Sequence, residues 1–119
     1  IQSLTFFTNH NPVLVLGDIL ELGKFSESEH NKLIPFIEKS NPRLFISVGK
    51  EMLKISKKLN LNCNKIHFPN SLIASKKILS LIQYKDIILI KGSNGLNLKK
   101  IVSNLRKIKS INIEASYAA

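Results

Sequence analysis

The sequence predicts an α/β fold: a three-layer, Rossmann-like, mostly parallel sheet flanked by helices. Short continuous apolar runs recur along the chain, amphipathic stretches of helical length separate them, and turn or cap residues stand at most of the junctions. Runs that are apolar throughout mark strands buried on both faces, and their alternation with helices implies βαβ units with right-handed crossovers. At 119 residues with 44% hydrophobic content, the chain has the size of one compact domain, able to bury roughly two thirds of its unfolded surface.

The first strand is expected at Val13 to Leu16, ended by Gly17 and Asp18. Ser26 and Glu29 then have capping-box spacing ahead of Leu33, Ile34 and Ile37, and Asn41-Pro42 stops that helix. Leu44 to Val48 reads as the second strand. A helix from about Lys50 to Leu59 follows, with Met52, Leu53, Ile55 and Leu59 inward and the lysines solvated. Ile66 to Phe68 is a shorter third strand carrying His67. Asn70 is a natural cap for the next helix, whose expected buried stripe is Leu72, Ile73, Ile78, Leu79 and Ile82. Ile87 to Ile90 is the fourth strand. A helix after Gly95 should bury Leu98, Ile101, Val102, Leu105 and Ile108, and residues 111 to 113 can add a last strand.

The chain starts at Ile1 rather than methionine and ends in the small-residue stretch EASYAA. These ends suggest a piece of a longer protein: residues 1–119 as one domain, with 1–11 an incoming linker or helix end and 115–119 a tail. The opening residues lack a signal peptide's basic start and apolar core, and no apolar run approaches the ~20 residues of a membrane span. Cys63 is the single cysteine. It has no internal disulfide partner, and no Cys or His stands at metal-ligand spacing. A cytoplasmic protein without a metal site of its own is the expectation.

The net charge of +10 raises nucleic acid as a partner. Only Arg43 and Arg106 of the eighteen basic residues are arginine, and the lysines are scattered among many isoleucines and asparagines. That pattern fits an AT-rich coding bias better than a basic reading surface, so nucleic acid is not the expected partner.

In such folds ligands sit outside the carboxyl ends of the strands. Two loops qualify: residues 17–26 after the first strand and 91–95 after the fourth. GDILELGK, residues 17–24, fails as a phosphate-binding P-loop: its glycines are six apart rather than five, and Phe25 stands where magnesium binding needs Ser or Thr. GxGxxG is absent. A phosphoacceptor receiver domain fails too, since it needs an acidic pair after the first strand and an aspartate after the third, where this chain has Gly17-Asp18 and Pro69-Asn70. KGSNG, residues 91–95, combines small residues, a following helix N-terminus and the Lys91 charge, which suits a carboxylate or phosphate. A tight turn with a solvated lysine would look the same.

LGDILELG, residues 16–23, resembles the LGDMLELG signature of the Mur ligases, specifically the member that adds D-alanyl-D-alanine to UDP-N-acetylmuramoyl-tripeptide. SESEH at 26–30, ISVG at 46–49 and IKGSNGLNLKKIV at 90–102 follow in register, the last resembling the pattern VKGSRGMRMEKVV. The resemblance covers about residues 12 to 106. It implies the C-terminal domain of a three-domain ligase acting in cell-wall precursor synthesis. In that family the central domain holds ATP and Mg2+, the N-terminal domain grips the UDP-sugar, and the C-terminal domain closes over the central one. The reaction passes through an acyl phosphate attacked by the dipeptide amine. No catalytic residue is expected in this domain alone.

By this resemblance Asp18, Glu21 and His30 are the candidates for nucleotide or substrate contact. Lys91, Gly92, Ser93 and Asn94 are the candidates for dipeptide binding. Asp18 is the first of these, because a carboxylate at a strand's carboxyl end can accept from ribose hydroxyls or a substrate ammonium; its structural alternative is a cap for the loop's own amides. Glu21 also suits a loop-organising or interdomain role, and His30 a structural one on its helix. Asn94 and Asn97 depart from the family pattern, which often has basic residues there. The reading from a different class is a free-standing, non-enzymatic α/β module that binds a nucleotide, nucleic acid or protein partner through its lysine-rich surface.

Overall fold

The computed structural model describes residues 11–18, 26–93, 98–107 and 112–118. Five strands form one sheet: β1 (Asn11–Gly17), β2 (Leu44–Val48), β3 (Asn64–Phe68), β4 (Asp86–Ser93) and β5 (Asn112–Ala118). Their order is β3-β2-β1-β4-β5, and every neighbouring pair is parallel. The helices are α1 (Ser26–Asn31), α2 (Leu33–Ser40), α3 (Lys50–Lys58), α4 (Ser71–Lys77), which runs on into a 3-10 turn (Ile78–Leu81), and α5 (Leu98–Leu105).

Side chains alternate across a strand, so each central strand feeds two cores. Leu14, Leu16, Phe45 and Leu89 pack with Ile37 of α2 and with Met52 and Ile55 of α3. Val13, Val15, Ile46, Ile88 and Ile90 pack on the opposite face with Ala74, Leu98, Ile101 and Leu105 of α4 and α5. Each fully buried aliphatic or aromatic side chain is worth about 1.5–3 kcal/mol of transfer free energy. That explains the continuous aliphatic stretches at the centre of β1 (Val13 to Leu16) and β4 (Ile87 to Ile90). The chain winds one way through β1, β2 and β3 and the other way through β4 and β5, so the winding reverses between β1 and β4.

Several expectations are corrected. The helix expected from Ser26 to Asn41 is two helices meeting at Lys32. Pro35 has no N–H to give the Asn31 carbonyl, and its ring crowds that carbonyl, so α1 ends at Asn31. The stop at Asn41 holds, with φ 48° in the left-handed region. In α4 the buried positions are Ser71, Ala74 and Ser75, continuing to Ile78, a stripe one residue out of phase with Leu72 and Leu79. Those two leucines are exposed. The small stripe lets α5 approach closely enough for Asn104 to donate to the Ser75 carbonyl at 2.9 Å.

The last strand is longer than residues 111–113, and 115–118, expected as a tail, belong to it. They pair with β4 from Ile90 to Ser93, giving its outer backbone groups partners they would otherwise lack. Ile108 and the expected linker up to His10 lie outside the described residues.

At the amino ends of the strands Arg43 clamps the sheet. Its guanidinium donates to both oxygens of the fully buried Asp86 carboxylate, at 2.9 and 2.7 Å, and to the Leu81 carbonyl. Asp86 also accepts from the Gln83 amide.

Candidate functional site at the carboxyl edge of the sheet

The carboxyl ends of β1 and β4 lie side by side where the winding reverses, the place at which open α/β sheets form their ligand crevice. Leu16 of β1 is in register with Lys91 of β4. Lys91, Gly92 and Ser93, expected in a loop, are the last residues of β4, because β1 and β5 pair with the strand on either side. A Cβ on Gly92 would stand 2.4 Å from the Leu98 side chain and 3.2 Å from the Gly17 backbone. Glycine is therefore what lets β1, β4 and the start of α5 meet here.

Lys91 is half-buried and shares the sheet face of Leu16, the face covered by α2 and α3. Among the described residues nothing accepts a hydrogen bond from its ammonium group. Glu21, Asn94 and the Ser93 side chain lie outside the described residues.

Asp18 follows β1 directly and is buried. Its backbone N–H donates to Val48, and its carboxylate accepts from the backbone N–H groups of Glu51 at 3.2 Å and Met52 at 2.7 Å. These are orphan donors of α3's first turn. Gly49 precedes that helix and has no side chain with which to cap it. The signature carboxylate therefore supplies, from a different strand, the cap that α3 lacks locally, and sits at the positive end of the helix. The expected structural alternative was a cap for Asp18's own loop; the helix it caps belongs to the next βαβ unit.

Gly49 makes that approach possible. Its φ is 101°, and a Cβ there would stand 2.6 Å from the Asp18 carboxylate. His30 is also buried, in the last turn of α1.

A pair outside the sequence candidates completes the edge. Ser47 Oγ and His67 Nδ1 lie 2.7 Å apart on β2 and β3, in register with each other. Ser47 is fully buried and His67 half-buried. Burial lowers the His67 pKa below its ordinary value; the negative charge of Asp18 opposes this and Lys57 reinforces it. The one sequence signal for the pair was a hydroxyl inside an otherwise apolar strand, LFISV. Among the described residues no group of three His, Cys, Asp or Glu could hold a metal ion, and no helix is long and apolar enough to cross a membrane.

No protein-family profile matches the chain. A curated relative does: over 92 residues it is 35% identical to the UDP-N-acetylmuramoyl-tripeptide--D-alanyl-D-alanine ligase of Rickettsia prowazekii (strain Madrid E). The chain is related to the Mur ligases. The match takes in 77% of this chain and 20% of that ligase, so the chain spans about one fifth of its Mur ligase relative. Among solved structures, MurF from Acinetobacter baumannii superposes with a TM-score of 0.62, over 84% of this chain and 23% of that one. At 23% identity that likeness establishes the shared fold. The two comparisons agree with the resemblance carried by LGDILELG and IKGSNG.

Proposed function

We propose that this chain is the C-terminal, closing domain of an ATP-dependent ligase that joins D-alanyl-D-alanine to UDP-N-acetylmuramoyl-tripeptide in the bacterial cytoplasm, a step of peptidoglycan precursor synthesis. The observation that carries the reading within this chain is Lys91: a half-buried cation without a protein acceptor among the described residues, placed beside the reversal of winding. Holding such a cation there has a desolvation cost that a ligand anion would offset.

In this reading Lys91 receives the dipeptide carboxylate, with Gly92, Ser93 and Asn94 shaping the same stretch. Asp18 acts indirectly, by fixing α3 and the start of the loop that carries Glu21, and His30 supports α1 from inside. By the family resemblance ATP and Mg2+ belong to the central domain, and no phosphoryl-transfer step is assigned to the residues of this chain. The domain's contribution is positioning: closure brings the amine to the acyl phosphate and excludes water.

The test is ligation by the complete gene product, with ATP, Mg2+, UDP-N-acetylmuramoyl-tripeptide and D-alanyl-D-alanine. Lys91→Ala should raise KM for the dipeptide roughly 10- to 100-fold, the value of one charge-assisted hydrogen bond. Absence of ligation by the wild-type product would overturn the reading, and an unchanged dipeptide KM in Lys91→Ala would overturn the role given to Lys91.

A further inference from the structure

Lys91, Leu16, Ser47 and His67 are successive partners across β4, β1, β2 and β3. In-register residues of parallel strands share a face, so this is one row at the carboxyl edge. Leu16 belongs to the core under α3. The two ends of the row are the polar groups that remain half-buried. Three interstrand spacings separate them, roughly 14 Å.

The hydrogen bond of the fully buried Ser47 fixes the proton on His67. A buried hydroxyl needs an acceptor for its hydrogen, and the one partner of Ser47 Oγ among the described residues is His67 Nδ1. Ser47 therefore donates and Nδ1 accepts. A neutral imidazole with Nδ1 accepting carries its hydrogen on Nε2, and no described residue accepts from Nε2. Burial favours the neutral ring. The result is an oriented N–H donor without a protein acceptor, at the edge where ligands of this fold bind.

We propose that His67, held in this tautomer by Ser47, is a further ligand-binding residue of the domain and donates through Nε2–H to an anionic oxygen of a bound substrate. The inference rests on the ligase reading for the identity of that substrate. A nucleotide phosphate and a substrate carboxylate offer the same acceptor chemistry. Both can come within reach when the central domain closes over this edge.

The experiment uses the complete gene product and determines KM separately for ATP, D-alanyl-D-alanine and UDP-N-acetylmuramoyl-tripeptide. Wild-type ligation tests the ligase reading itself, so its failure is distinct from failure of the inference. His67→Phe should raise one of the three KM values by about tenfold, the worth of one hydrogen bond at the site. His67→Gln, whose amide restores a donor, should recover part of the loss. The affected substrate identifies the source of the oxygen. Three unchanged KM values, or equal changes in all three without rescue by Gln, would overturn the proposal. Independently, 15N spectra of the imidazole should show the Nε2–H tautomer in the wild type and a mixture in Ser47→Ala. An Nδ1–H form in the wild type would also overturn it.

Discussion

Asp18 and Gly49 act as one unit although thirty-one positions separate them. The carboxylate caps α3 and occupies the space that a Cβ on residue 49 would need. Asp18→Ala should cost about 2 kcal/mol of folding stability, because it leaves two amides of the first turn without their acceptor. Gly49→Ala should cost about 1–3 kcal/mol for the backbone conformation, together with the clash. In the Asp18→Ala background the clash is gone, so the second cost should shrink by at least about 0.5 kcal/mol. Urea denaturation of the four proteins measures this, and strictly additive losses would rule out the steric coupling.

Helix ends decide where the elements start and stop. Asn70 holds an extended backbone, and its side chain accepts from the Ile73 amide at 3.0 Å. This is the cap its residue type predicted. Asn70→Ala should lower stability by about 1 kcal/mol, and Asn70→Asp should retain most of it. If alanine is neutral in a thermal melt, the amide is satisfied by water instead. The break between α1 and α2 has a different origin. The capping-box spacing at Ser26 and Glu29 reads as the start of one helix running to Asn41, but one missing N–H at Pro35 divides the segment. The 3-10 turn after α4 similarly removes Leu79 from the expected buried stripe.

Across the molecule the two edges of the sheet have opposite uses. The amino edge is fastened by the Arg43–Asp86 pair, in which both carboxylate oxygens and the Leu81 carbonyl are engaged. The carboxyl edge keeps Lys91 and the Nε2 of His67 without acceptors among the described residues. Asp86→Ala should therefore destabilise the fold by on the order of 3 kcal/mol, since it strands a mostly buried guanidinium. In the ligation assay of the complete gene product, KM values should stay unchanged under conditions where the variant remains folded. A selective change in substrate KM would mean that the amino edge also takes part in binding.

Much of the fold was legible in the chain because burial on two faces leaves a direct imprint. The aliphatic runs of β1, β2 and β4, the Asn70 cap and the inward face of α5 all stand close to where periodicity places them. The length of β5 was not, because a polar strand such as NIEASYA is made by pairing with β4 rather than by its own hydrophobicity. The site divides in the same way. LGDILELG and IKGSNG identified the Mur ligase relation and pointed to the carboxyl edge without the structure, since spacing along a chain is a sequence property. That Asp18 caps a helix, that His30 is buried and that Ser47 orients His67 depends on which strands lie side by side. Only the tertiary structure decides this, because hydrogen bonds between residues twenty or more positions apart exist once the sheet has brought them together.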